Sequence, residues 1–106
     1  MTERERMVLL AIPFSREGGV RRKTLAVRLG IPDRSLRDII ESLQNAGWPI
    51  VNFQDGEGYF LAETAEEVAR YKNQERSRAR NITAKARGIK FRPDIRDKVA
   101  EVRSEK

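Results

Sequence analysis

The side chains of this chain that could do chemistry are cations, and most of them are gathered in one segment. Residues 70–92 contain nine basic residues and one acidic residue, a net charge of +8, whereas the rest of the chain contains 13 basic and 15 acidic residues, a net charge of −2. A basic stripe of this kind is typical of a surface that binds nucleic-acid phosphates. The alternative is a solvated helix surface, although such surfaces usually interleave both signs. The phosphate contacts are expected from Arg76, Arg78, Arg80, Lys85 and Arg87.

A second group of polar residues lies between positions 34 and 41 of a predicted helix. Arg34, Asp38 and Glu41 share its exposed face, and Ser35 and Arg37 flank that face near its amino end. An arginine can pair with guanine and a carboxylate can accept from cytosine, each worth ~1–3 kcal/mol of discrimination. Alternatively, the carboxylates hold the arginines through i,i+4 ion pairs. A mixed polar face of this kind favours reading of base edges over binding by charge alone.

A third group, Arg21, Arg22 and Lys23, precedes another predicted helix. Cations at such an entrance commonly contact phosphates while the next helix is inserted in a groove. The alternative is that they are ordinary solvated charges.

Two residue types are missing, and their absence excludes several kinds of chemistry. The chain has no cysteine and no histidine, which removes disulfides, thiolate metal sites and imidazole acid–base catalysis. It also has no glycine-rich phosphate loop, so an enzyme is the poorest fit, and no metal, cofactor or small-molecule ligand is expected. No apolar run approaches the ~20 residues of a membrane span, and no signal sequence is visible. A cytoplasmic protein without a membrane partner is therefore expected.

Two short helices, over about 22–29 and 34–46, must position these groups. The first ends at Gly30, and Asp33 is predicted to cap the second with its carboxylate. An apolar stripe follows the second helix at i, i+3, i+4 and i+7, formed by Leu36, Ile39, Ile40 and Leu43. Gly47 should end this helix, with Trp48 packing back on Leu43.

Strand-forming residues at about 49–53 and 58–62 flank a glycine-containing turn, which predicts a β-hairpin. Tyr59 and Leu61 should lie on one face and Phe60 on the other. Tyr59 and Trp48 are expected to be buried; the alternative is that they stack on exposed bases. The turn, 54–58, is acidic and has no cation, so we expect no DNA contact from it. A first helix over about 3–12, capped by Thr2 and Glu5, should cover the core. Its apolar face is predicted from Met7, Leu10, Ala11 and Phe14, widened by Val8 and Ile12.

Together these elements resemble a known family. The residues that carry the resemblance are Leu25, Ala26, Leu29, Gly30 and Ile31, then Asp33, Arg34, Ser35, Leu36 and Arg37, then Ile40, Leu43, Gly47 and Ile50, and last Gly58, Tyr59, Phe60 and Leu61. They are similar to the winged-helix domains of the biotin-operon-repressor type, over roughly residues 4–62. More narrowly, the chain resembles small phage-type proteins that place such a domain before a basic helix. The resemblance implies binding of double-stranded DNA.

The predicted fold class is mainly α with a small β-hairpin (α+β). A winged helix-turn-helix domain over 1–63 is followed by a long basic helix over 64–92 and a short amphipathic or frayed tail over 93–106. The basic helix has too few apolar residues to fold alone, so either a partner helix or nucleic acid should order it. A homodimer through residues 68–102 is predicted. The favoured function is a small transcription regulator that reads duplex DNA. The alternatives are a replication or recombination accessory protein and a winged-helix protein-interaction module.

Overall fold

The structure, a computed structural model, describes residues 1–105. Its elements are α1 (Glu3–Ala11), α2 (Arg22–Leu29), α3 (Asp33–Asn45), β1 (Ile50–Val51), β2 (Phe60–Leu61), α4 (Ala65–Gly88) and α5 (Ile95–Ser104). The mainly helical α+β class is confirmed. The chain divides into two compact units, Met1–Arg76 and a second that begins at Ser77. Every part of the core described below lies in the first unit.

Helix α1 begins with the predicted capping box: the Glu5 amide donates to Thr2 Oγ1 (3.1 Å), and the Thr2 amide donates to Glu5 Oε1 (3.0 Å). The predicted apolar face of α1 is confirmed for Val8 and Ile12 and wrong for Leu10 and Phe14. Val8, Leu9 and Ile12 are buried, whereas Leu10 and Phe14 are 72% and 64% exposed. The buried residues and the exposed ones are both spaced as one face of a helix would require. However, α1 ends at Ala11, before Pro13, so Phe14 is not part of the helix.

Helices α2 and α3 are joined by the three residues 30–32. Gly30 adopts a left-handed conformation (φ 64°), and the Ile31 amide donates to the Ala26 carbonyl (3.0 Å), which closes α2 as predicted. The predicted cap of α3 is wrong, because Pro32 occupies the cap position and Asp33 is already helical. The Asp33 carboxylate instead accepts from Arg22 Nε (2.8 Å).

The carboxyl end of α3 has the predicted Schellman geometry. The Trp48 amide donates to the Leu43 carbonyl and the Gly47 amide to the Gln44 carbonyl, both at 3.0 Å. Leu36, Ile40 and Leu43 are fully buried, as their spacing predicts. The prediction that Trp48 is buried is wrong, because 40% of its surface remains exposed.

The sheet is a two-stranded antiparallel hairpin in which Ile50 pairs with Leu61 and Val51 with Phe60. A single bridge joins Val20 to Tyr59. Both strands are shorter than predicted, and for β1 the contacts give a reason. Beyond Val51 the backbone is bonded by a side chain, since Gln74 donates to the Asn52 carbonyl (2.9 Å) and accepts from the Gln54 amide (3.0 Å).

The two faces of the hairpin contribute to different clusters. Leu61 and the partly buried Tyr59 join the main core between α1, α2 and α3. Phe60 joins a smaller cluster with Val51 and Phe53, against which Tyr71 of α4 packs. This division confirms the predicted alternation and shows that the first turns of α4 belong to the same unit as the hairpin.

Candidate nucleic-acid interface

The outward face of α3 is polar because the apolar stripe of this helix packs in the core. Arg34, Arg37, Asp38 and Glu41 are all exposed, and Arg34 and Arg37 lie near the amino end of the helix. No ion pair joins these arginines to Asp38 or Glu41 anywhere in the described residues 1–105. The i,i+4 pairing considered for the two carboxylates is therefore not present. Their oxygens remain available as acceptors.

The amino ends of α2 and α3 meet at Asp33. Arg22 donates to this carboxylate, and the positive charges of Arg37 and Lys23 are close enough to act on it as well. All three, the Arg22 hydrogen bond most strongly, hold the pKa of Asp33 below its usual range. In return, the Asp33 hydrogen bond raises the pKa of Arg22. We call Lys23, Arg34 and Arg37 the cation cluster; Arg22 is largely engaged in holding the two helices together.

Ser35 and Asp38 lie on the side of α3 that faces α1. With Ile39 and Ser42 they border a shallow depression beside Thr2 and Glu5. Ser42 Oγ donates weakly to Glu5 Oε2 (3.4 Å). The pKa of Glu5 is held below its usual value, first by the Thr2 amide. Ser35 is half-buried here, which places it at the margin of the polar face.

Arg21 lies at the cap position of α2 and is exposed. With Arg22 it borders a polar cavity whose opposite wall is the hairpin turn, including Asn52, Gln54 and Tyr59. The cations at the entrance of α2 therefore have different surroundings. Arg21 and Lys23 are exposed, and Arg22 is paired.

The basic side chains of α4 are exposed, and in the second unit they occupy two faces. Arg80 and Arg87 are seven residues apart, as are Arg78 and Lys85. At 3.6 residues per turn each pair is therefore aligned, but the two pairs point in nearly opposite directions. Ala79, Thr83 and Ala84 fill the surface between Arg80 and Arg87, which leaves a smooth face with a cation at each end. Arg76 is exposed at the end of the first unit.

The hairpin turn carries a cluster that the sequence did not predict. Asp55 accepts from Arg16 Nη2 (3.0 Å) and from Arg70 Nη2 (2.9 and 3.0 Å). Both guanidinium groups also lie over the Phe53 ring, with their central carbons 5.3 Å and 4.2 Å from its centroid. The acidic turn is thus neutralised locally. These residues are 15 and 39 positions apart in the sequence, so no local pattern indicates that they meet.

Two glutamines tie the hairpin to its neighbours and were also missed. Gln44 Nε2 donates to the Ile50 carbonyl (2.8 Å) and to Tyr71 Oη (3.2 Å). It therefore joins the end of α3, the start of β1 and α4. Gln74 performs a similar role at the hairpin turn. Glutamines with this role follow no recognisable pattern in the sequence. Their function is visible only once the backbone groups that they bond are known.

An apolar groove lies between the end of α1 and the ends of the hairpin, beyond the carboxyl end of α3. It is lined by Leu9, Leu10, Ile12, Phe14, Trp48, Pro49, Leu61 and Ala62. Its exposed rim consists of Leu10, Phe14 and Trp48. The groove and the cation cluster therefore lie towards opposite ends of α3, about 20 Å apart along its 13 residues.

Comparison with known proteins gave no match: no family model, no curated protein and no solved structure is significantly similar to this chain. Within residues 1–105, none of the helices combines the length and the apolar character that crossing a bilayer requires.

Proposed function

We propose that this chain is a winged helix-turn-helix protein that binds double-stranded DNA, with α3 in the major groove and α4 along the phosphates. The observation that carries the proposal is the polarity of α3. Leu36, Ile40 and Leu43 of its apolar stripe are fully buried, while Arg34 and Arg37 are exposed at its amino end. The amino end of a recognition helix is the part that meets base edges.

The surroundings of α3 support the same function. Lys23 lies near Asp33 at the amino end of α3, and Arg21 is exposed at the cap of α2. In the proposed complex both contact phosphates beside the inserted helix. The exposed cations of α4 add a long-range attraction, since the charge of +8 resides in residues 70–92. Base contacts would then give specificity, and α4 would give most of the affinity.

The proposed role is a small transcription regulator, with a replication or recombination accessory role as the alternative within the same class. A homodimer through residues 68–102 would present two copies of α3 to palindromic half-sites. The exposed apolar side chains of the second unit support this assembly, namely Ile82, Ile89, Phe91, Ile95, Val99 and Val102. They have no cover within the described residues of one chain.

The test is a salt titration of the full chain with mixed-sequence duplex DNA, single-stranded DNA and RNA. Duplex binding should be tightest, and its log–log slope against salt should be about −0.9 for each phosphate neutralised. A chain that binds single strands as tightly as the duplex would contradict major-groove insertion. A chain that binds none of the three at moderate salt would remove nucleic acid as the partner.

A second function, a protein-interaction module, is favoured by the apolar groove. Isolated exposed apolar residues are ordinary, but Leu10, Phe14 and Trp48 form one contiguous rim around a concave surface. Phe14→Ser should abolish binding of such a partner and leave DNA binding intact. The two functions use different ends of the first unit and are therefore separable by mutation.

A further inference from the structure

We propose that Arg16 and Arg70, resting on the ring of Phe53, form a binding site for a backbone phosphate of nucleic acid, and that the Asp55 carboxylate occupies this site in the free protein. The inference rests on the proposed function and adds a contact surface to it. It also changes the role of the hairpin turn, whose own sequence contains no cation.

The geometry is that of an oxyanion held by two guanidinium groups. Asp55 Oδ1 accepts from Arg16 at 3.0 Å and from Arg70 at 2.9 Å, and Oδ2 accepts from Arg70 at 3.0 Å. A phosphodiester, like a carboxylate, carries one negative charge shared by two oxygens, and both oxygens accept hydrogen bonds. Arginine binds both groups through the same planar donors. The site therefore does not distinguish a carboxylate from a phosphate by its donors.

The two arginines are held by more than Asp55. Each guanidinium also lies over the Phe53 ring, and such cation–π contacts contribute to orienting arginine. Phe53 itself is only 3% exposed and packs edge-on against Phe60, with ring centroids 5.6 Å apart. The turn is fixed independently by Gln74, which bonds the backbone on both sides of Phe53. The arginines should therefore keep their positions when the carboxylate departs.

Exchange of the carboxylate for a phosphate is energetically accessible. The Asp55 side chain is 63% exposed and both arginines are partly exposed, and ion pairs in such positions contribute little to stability. The hydrogen bond from Arg70 lowers the pKa of Asp55 most, so the carboxylate is ionised at neutral pH. It occupies donors of both arginines, although its single negative charge offsets only one of their two positive charges. A nucleic-acid phosphate brings an additional gain, because its condensed counterions are released on binding.

The consequence is that Asp55 weakens nucleic-acid binding. Three segments supply the site: the loop after α1, the hairpin turn and the second turn of α4. Removing only the charge of Asp55 should expose two preformed cations without removing a donor. Removal of the Asp55 charge should thus increase the affinity for nucleic acid. If Asp55 only stabilised the fold, its removal would lower that affinity.

The experiment compares the full wild-type chain with Asp55→Asn by salt titration against a mixed-sequence DNA duplex. The variant should bind more tightly, and its log–log slope should be steeper by roughly one to two units, about 0.9 for each additional phosphate. Glu57→Gln is the matched control, because it removes the same charge from the same turn at a residue with no ion pair among those described. Its slope should remain that of the wild type.

The double variant Arg16→Gln with Asp55→Asn should return the slope towards the wild-type value. An Asp55→Asn variant that matches Glu57→Gln in slope, or that binds more weakly with a lower Tm, overturns the inference and leaves the proposed function intact. If neither the wild type nor Asp55→Asn binds any duplex, the proposed function fails and this inference fails with it.

Discussion

Arg22 Nε donates to Asp33 Oδ1 over 2.8 Å, which joins the first residue of α2 to the first residue of α3. The pair fixes the relative position of the two amino ends, where the cation cluster lies. Both side chains are only partly exposed, and no other ion pair links α2 to α3 in the described residues. The pair therefore joins the two helices at their amino ends, in addition to the apolar contacts that they make in the core.

Replacing Asp33 by Asn should lower Tm by a few degrees at most at neutral pH, because partly exposed pairs contribute modestly. The pKa of Asp33 is lowered in the folded state, so the pair stabilises the fold above the unfolded pKa near 4 and is lost as pH falls through the lowered value. The Tm difference between wild type and variant should be constant above about pH 5 and vanish in stronger acid. Thermal unfolding followed by circular dichroism measures it; a difference that persists at low pH would show that the effect is not ionic.

The proposed reading of base edges by α3 can be tested separately from the proposed binding of phosphates. A preferred duplex is first selected from a randomised pool with the wild-type chain. Arg34→Ala and Arg37→Ala should each then weaken binding to the selected duplex by roughly five- to 150-fold, from the ~1–3 kcal/mol of a bidentate base contact, and weaken binding to random duplex much less. Arg6→Ala, an exposed arginine on α1, is the control for loss of charge. Equal losses on both duplexes would make Arg34 and Arg37 phosphate contacts.

The two basic faces of α4 should contribute unequally when the helix lies along DNA. A duplex can engage only one side of a straight helix, and the side bearing Arg80 and Arg87 has small residues between its cations. The double substitution of Arg80 and Arg87 by Gln should reduce the salt slope by about 1.8, whereas substitution of Arg78 and Lys85 by Gln should change it by less than about 0.9. Both variants lose two positive charges, so net charge is matched. Equal reductions would indicate attraction by overall charge alone.

Gly58 should tolerate no side chain. Its φ is 132°, and a Cβ there would lie 2.4 Å from the Val20 carbonyl carbon, at the bridge that joins Val20 to Tyr59. Gly58→Ala should destabilise the fold by more than about 2 kcal/mol. Gly18→Ala is the control, since its nearest atoms would be 3.8 Å or more away. Chemical denaturation gives both values; similar midpoints for the two variants would contradict the steric argument.

The proposed self-association through the second unit can be tested by sedimentation. The full chain should form dimers at micromolar concentration, and Ile82→Glu should shift it to monomer because it places a charge on the exposed apolar side of α4. Glu66→Gln, on the first turn of α4 and outside residues 68–102, should leave the dimer unchanged. A wild-type chain that stays monomeric at high micromolar concentration would contradict the homodimer.

Local patterns predicted most of the secondary structure. The local signals are the glycines at 30 and 47, the capping box that begins at Thr2 and the apolar stripe of α3. All of them act within one or two helical turns. The errors arose where alternatives share one spacing. On α1 the set with Met7 and Leu10 and the set with Val8 and Leu9 are both helical, and only packing against α3 decides between them. Asp33 was expected to cap its own helix because the partner offered by Arg22 is 11 residues away.

Only the part of the candidate site that depends on local spacing could be predicted from the sequence. The outward position of Arg34 and Arg37 follows from the phase of the buried stripe, which is visible in the sequence. The grouping of Arg16, Asp55 and Arg70 depends on how the loop after α1 and the start of α4 approach the hairpin. That approach is set by long-range contacts such as those of Gln44 and Gln74, which leave no periodic signal.

Trp48 is the single tryptophan of the chain, and it stands half-exposed at the rim of the apolar groove, beyond the far end of α3 from the cation cluster. Its indole emission is consequently a built-in optical reporter of which end of the first unit is in use. DNA held at the amino end of α3 would leave the emission maximum unchanged. An apolar side chain that entered the groove would displace water from the indole and move the emission to shorter wavelength. The intrinsic fluorescence of the unlabelled protein therefore distinguishes the two kinds of partner.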